Sequence, residues 1–166
     1  MDIRFQNQCS LTREIFLEFS KSAYRYTSRG YRRGALILGS VFVLGAVASF
    51  VTEGIGYASV FFMLGAGCTV FTYFKGYVML AEKSLNSYQL KYGSDAVMTT
   101  TFYEDSLSSS ITNASNTLKY SHITKLIETP ALIILMAGRN GIILKRDGFG
   151  TESAENFLAF IREKIS

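Results

Sequence analysis

His122 is the chain's single imidazole, and its two thiols, Cys9 and Cys68, lie far from it in sequence. A metal site wants several His or Cys ligands at a set spacing, and these three residues do not offer it. Ser108, Ser109 and Ser110 follow an acidic pair, Glu104 and Asp105. A serine nucleophile also needs a base to take its proton, and no histidine stands near. The serine run reads as an exposed edge strand, and His122 as an ordinary strand residue. Gly65-Ala66-Gly67 has the glycines of a phosphate loop but no strand before it and no lysine after it. Glu152 and Glu155 sit at a helix start, where the helix dipole favours negative charge. The expectation is no enzyme, no metal and no cofactor.

The residues that do point to a chemistry are basic. Arg25, Arg29, Arg32 and Arg33 crowd ahead of one apolar run, and Lys75 and Lys83 follow a second. With 17 Lys and Arg against 13 Asp and Glu, the net charge is +4 and the pI is near 9.1. Nucleic acid is a common partner of basic proteins. Here the cluster abuts hydrocarbon-like sequence, so the expected partner is anionic phospholipid, with no nucleic acid. Arg25, Arg29, Arg32, Arg33 and Lys75 form the candidate headgroup site.

The apolar runs define the elements that hold this cluster. From Gly34 to Phe74 the only charge is Glu53, which pulls the chain's charged fraction down to 18% against roughly 25% in soluble domains and lifts its mean hydropathy to +0.19. Residues 35–51 and 55–74 are uncharged, and a spanning helix needs about 20 apolar residues. A link as short as Thr52-Glu53-Gly54 makes the two runs antiparallel neighbours, a transmembrane helical hairpin. Helices apolar all round need lipid or a further shell of protein, and the remaining residues are used elsewhere. Basic residues flank the outer ends of the pair and none lies in the link, so the positive-inside rule puts both termini in the cytoplasm of a multi-pass protein of the cell membrane. Tyr24, Tyr26, Tyr31, Tyr73 and Tyr77 suit the near interface and Tyr57 the far one. Small residues, Ala35, Gly39 and Ala46 on the first helix and Gly56, Ser59, Ala66 and Gly67 on the second, form candidate contact faces.

Around the hairpin the patterns are those of a polar domain. Residues 2–9 alternate as a strand, with residues 3–8 expected at a sheet edge, and Ile15, Phe16, Phe19, Ala23 and Tyr26 make an amphipathic helix. Residues 76–94 extend the second span and should end near Gly93. From Ala96 the period becomes two, with a turn at Glu104-Asp105, a loop at 113–116, strands in 117–129 and 131–137, and an Asn140-Gly141 hairpin signal. Ala154, Phe157, Leu158, Ile161 and Ile165 share one face of a last helix capped by Thr151 or Ser153. That helix is expected to cover the sheet against Ile127, Ile133 and Leu135. The expected architecture is an α+β membrane protein. Residues 1–33 hold a strand and a juxtamembrane helix, 34–75 the hairpin and 76–95 a helical extension. Residues 96–166 form a cytoplasmic pleckstrin-homology-like (PH-like) antiparallel domain capped by its C-terminal helix. The two thiols are expected to be free.

The stretches FQNQCSLTREIF, TTTFYEDSLSSS, KYSHITKLIETPALIILM and IILKRDGF, with the two spans and the closing helix, resemble the YcxB-like small membrane proteins. The resemblance implies an integral membrane protein with a small cytoplasmic β-domain and brings no biochemical activity with it. The expected function is a membrane-anchored module whose PH-like domain binds a protein segment or a lipid headgroup. An immunity-type protein that binds a membrane-acting toxin, and a homo-oligomeric channel or scaffold assembled through the hairpins, stand as alternatives.

Overall fold

The computed structural model describes residues 2–27, 29–53, 55–94, 96–112, 114–138, 140–150 and 152–165, apart from the side chains of Arg25, Tyr26, Thr27, Arg29, Tyr31, Arg32, Glu53 and Tyr73. Strand β1 (Phe5–Ser10) leads into helices α1 (Arg13–Thr27), α2 (Arg29–Glu53) and α3 (Ile55–Tyr92). Strands β2 (Val97–Phe102), β3 (Ser106–Ile111) and β4 (Ala114–Lys119) follow, then a 3-10 turn at Tyr120–His122. Strands β5 (Lys125–Glu128), β6 (Leu132–Ala137) and β7 (Asn140–Lys145) lead through a second 3-10 turn, Arg146–Phe149, to helix α4 (Ala154–Ile165). The described strands form two antiparallel sheets, β1-β2-β3-β4 and β5-β6-β7. The chain divides into a β-unit, Met1–Ala23 with Ala81–Ser166, and a helical unit, Tyr24–Leu80.

The β-unit is organised around β6. This strand reads Leu-Ile-Ile-Leu-Met-Ala and is buried from Leu132 to Met136. Strand side chains alternate between faces, so an unbroken apolar run needs cover on both. On one face Ile133 and Leu135 join Phe102, Leu107 and Leu144 and the α4 residues Phe157, Leu158 and Ile161. On the other, Leu132, Ile134 and Met136 join Ile15 and Phe16 of α1 and Leu85 and Tyr88 of α3. The amphipathic face of α1 thus packs on protein, and the Thr129 hydroxyl donates to the Glu18 carboxylate. Residues 81–92 of α3 serve as a second cover. The helix ends at Tyr92 because Gly93, at φ +90°, takes the left-handed conformation and donates its N–H back to the Gln89 carbonyl at 2.9 Å.

Helix α4 lies where its periodicity puts it. The Ser153 hydroxyl accepts the Asn156 N–H at 3.1 Å, which satisfies one of the free donors of the first turn. Ala154, Phe157, Leu158 and Ile161 are buried. The partner expected at Ile127 is corrected. Leu126 pairs with Leu135, and Ile127 pairs with Ile134, so Leu126 shares the face toward α4 and Ile127 faces the other core.

Three further expectations shift. The N-terminal strand is at a sheet edge as expected, but runs Phe5–Ser10. Of the expected loop at 113–116, residue 113 lies outside the described residues, and residues 114–116 are strand, because β4 begins at Ala114 and pairs through Asn116. The Asn-Gly dipeptide marks a hairpin without forming its turn. Ala137 pairs with Asn140 and Met136 with Gly141, so Asn140 and Gly141 both lie in β7, and the left-handed position before it is Gly138, at φ +63°. Glycine at a left-handed position costs least, and Gly138 wins that place.

In the helical unit α2 and α3 meet along their lengths. The Thr69 hydroxyl lies 3.4 Å from the Ala35 carbonyl, and the Phe42 and Phe61 rings lie 6.3 Å apart. Added methyl groups would collide with Thr69 at Gly39 and with Phe42 at Gly65. The expected small-residue face of α2, with Ala35, Gly39 and Ala46, is the contact face. On α3 it is corrected: Ala58, Gly65 and Thr69 make the contact, while Gly56, Ser59, Ala66 and Gly67 are exposed. One residue is a rotation of about 100°, and the choice between neighbouring stripes depends on the partner helix. The Tyr24 hydroxyl donates to the Thr72 carbonyl at 2.5 Å. The stretches Arg33–Thr52 and Ile55–Thr72 are long and apolar enough to cross a membrane, with only 17% and 6% of their most apolar windows buried.

Candidate functional site

The basic cluster draws on three helices. Arg25 lies in α1, Arg29, Arg32 and Arg33 in the first turns of α2, and Lys75 in α3. The side chains of Arg25, Arg29 and Arg32 lie outside the described residues. Those of Arg33 and Lys75 are exposed. Arg33 stands two residues before Ala35, and Lys75 six residues after Thr69, its contact across the pair. Arg33 and Lys75 therefore share one end of the α2–α3 pair, where exposed cations can meet phosphate.

The β-unit carries open clefts whose charges are already engaged. One, of about 430 Å³, lies between β1, the start of α1 and the end of β7, with Glu14, Glu18, Lys145 and Asp147 on its walls. Lys145 Nζ meets Asp147 at 2.8 Å, which raises the lysine's pKa. Glu14 is held below the usual carboxylate range by a hydrogen bond from its own backbone N–H and then by the Thr12 hydroxyl, a helix-start role. In a second cleft Glu104 sits between Lys164, at 2.5 Å, and Arg4, at 3.0 Å. The Lys164 hydrogen bond, and then Arg4, hold the Glu104 pKa down.

The residues singled out for chemistry are apart or inert. Burial pushes the Cys9 thiol up to about 11, so it is protonated at neutral pH. Ser109 shares a hydrogen bond of 3.2 Å with Thr100, and the Ser110 hydroxyl donates to the Thr99 carbonyl at 3.4 Å. His122 lies on a 3-10 turn and not on a strand. No group of three or more metal-ligating side chains occurs among the described residues.

A residue that periodicity alone did not single out is Asn7, buried on β1. Its Nδ2 donates to the Lys145 carbonyl at 2.7 Å, and its Oδ1 accepts the Lys145 N–H at 3.2 Å. The side-chain amide stands in for a strand peptide and clasps β1 to β7, joining the two sheets. The readable signal is an amide at an inward position, between Phe5 and Cys9.

Residues 102–161 match the family model of the YcxB-like proteins. This stretch is similar to the YcxB-like proteins. The match runs from the last residue of β2 to Ile161 of α4, so the matched stretch takes in β3 to β7 and most of the closing helix. It does not reach β1 or the two apolar helices. No curated protein and no solved structure matches the chain.

Proposed function

We propose that this chain is a non-enzymatic integral membrane protein. Helices α2 and α3 form the transmembrane hairpin, both termini are cytoplasmic, and the YcxB-like domain belongs to a PH-like module that works at the membrane surface. One observation carries the proposal. Leu36, Ile37, Val41, Leu44, Val47 and Phe50 of α2 are exposed together with Val60, Phe62, Met63, Val70 and Phe71 of α3, in a stretch whose only charge is Glu53. A soluble protein does not leave such a surface in water; lipid is the solvent that suits it. The PH-like reading is supported by four strands, then three, closed by one C-terminal helix.

The ligand read from the charge distribution is anionic phospholipid, held by Arg25, Arg29, Arg32, Arg33 and Lys75. Each basic residue near an anionic surface contributes about 1 kcal/mol, or roughly fivefold in affinity. In nanodiscs of mixed phosphatidylglycerol and phosphatidylcholine, native mass spectrometry should show phosphatidylglycerol retained preferentially. The pair Arg33→Gln and Lys75→Gln should cut that preference more than tenfold. Unchanged retention by a variant that keeps its topology would sink the headgroup assignment.

A further inference from the structure

A strand at a sheet margin presents unpaired N–H and C=O groups, and proteins blunt such edges with charge, proline, bulges or short length. The described margins differ in this respect. β1 is clasped to β7 through Asn7. β5 is four residues long and begins and ends with Lys125 and Glu128. β4 is six residues long, exposed at every position except Leu118, has no charge before Lys119, and pairs with β3 without a bulge.

The register decides which peptide groups of β4 face outward. The Tyr103 N–H donates to the Ser106 carbonyl at 2.8 Å, so these two residues form a hydrogen-bonded pair. Bonded and non-bonded pairs alternate in an antiparallel ladder, which leaves Phe102 and Leu107 non-bonded and turns the Leu107 peptide groups toward Leu118. Ala114, Asn116 and Leu118 thus point their peptide groups at β3. Ser115, Thr117 and Lys119 point theirs away from the sheet.

The segment Ala114-Ser115-Asn116-Thr117-Leu118 is also a chemical palindrome: apolar, hydroxyl, amide, hydroxyl, apolar. We propose that β4 pairs antiparallel with β4 of a second copy of this chain, centred on Asn116. In that register Ser115 and Thr117 form hydrogen-bonded pairs with Thr117 and Ser115 of the second copy, through the outward peptide groups. Asn116 meets Asn116 as a non-bonded pair, and Ala114 meets Leu118. Hydroxyls face hydroxyls on one side of the joined sheet, and the half-buried Leu118 gains an apolar neighbour on the other. The two Lys119 side chains lie at opposite ends, so no like charges meet. The contact is isologous and closes as a dimer. One strand pair is a small interface beside the 1,200–2,000 Å² or so of stable complexes. It is expected to hold where two chains share a bilayer and meet at high effective concentration, and in this it rests on the membrane proposal above.

Cross-linking of the full chain in native membranes tests the register, in a Cys68→Ser background that keeps the inert, buried Cys9. Cα atoms of a non-bonded antiparallel pair are about 4.5 Å apart, within disulfide range. Asn116→Cys should give a disulfide-linked dimer under mild oxidation, and Thr117→Cys at least tenfold less, because the two copies of residue 117 are two residues out of register. Adding Thr117→Pro to Asn116→Cys should abolish the dimer, since that N–H bonds nothing inside the sheet. The double change Ser115→Lys and Thr117→Lys, which sets lysine against lysine across the seam, should do the same with the protease resistance of the β-unit unchanged. Equal cross-linking at 115, 116 and 117, a dimer that survives both edge changes, or no dimer from a folded Asn116→Cys chain would each overturn the proposal. If the chain instead fractionates as soluble, the membrane proposal fails by itself, and the same 116-over-117 pattern at raised concentration still decides the edge.

Discussion

Replacing Phe157 by alanine is expected to lower the stability of the β-unit by about 3–5 kcal/mol. Phe157 is fully buried. Its ring lies 4.6 Å from that of Phe102 and 4.7 Å from that of Phe149, with Phe5 edge-on at 5.6 Å. It therefore touches elements that are far apart in sequence: β1 and β2 through Phe5 and Phe102, and the 3-10 turn that follows β7 through Phe149. Removal leaves a cavity lined by aromatic rings that are fixed by their own strands and collapse poorly. Small domains hold only about 5–15 kcal/mol in total, so the variant should lose protease resistance in the β-unit. Phe160→Ala, one turn on and only half-buried against Phe5 and Tyr120, should cost clearly less. Equal resistance of Phe157→Ala and the parent chain would show that α4 is not the lid of this core.

Asn7→Ala should cost nearly as much by a different route. The change strands the part-buried N–H and C=O of Lys145, which the Asn7 amide now pairs. An orphaned buried group costs about 1–3 kcal/mol, and here there are two. Gly148 packs so closely on the Gln8 carbonyl and the Asn7 amide that a methyl group there would collide, so the seam has little freedom to re-pair. Urea denaturation of the purified chain, followed by tyrosine fluorescence, would measure the loss. Asn7→Gln keeps the amide but overshoots the Lys145 peptide, and should recover little. A stability loss under about 1 kcal/mol for Asn7→Ala would mean that water replaces the clasp and that β1 is held by β2 alone.

Elements whose signal is local were legible in the residues. Gly93 ends α3, Ser153 starts α4, and the spacing of Ala154, Phe157, Leu158 and Ile161 names the buried face of that helix. Those signals depend only on backbone groups within a turn of the residue. What was not legible depends on partners distant in sequence. The continuous apolar run of β6 says that both faces are covered, but not that residues 81–92 of α3 cover one of them. Period two separates Leu126 from Ile127 without saying which of them faces α4. Small residues abound on α3, and only the packing with α2 selects Ala58 and Gly65 over Gly56 and Gly67. Asn7 is a common polar residue until Lys145, 138 positions later, comes within reach of its amide. The basic cluster was fully visible as charge, because charge density beside an apolar run needs no partner to be recognised.

The proposed membrane hairpin is tested most directly at Glu53, the only charge between Gly34 and Phe74. In a Cys68→Ser chain that keeps the buried Cys9, Glu53→Cys should react with a membrane-impermeant maleimide added to intact cells, because the link between the two helices is expected outside. The same reagent should reach an Asn116→Cys control only after lysis, since the β-unit is expected inside. Labelling of Glu53→Cys only after lysis, or release of the chain from membranes by alkaline carbonate, would contradict the account.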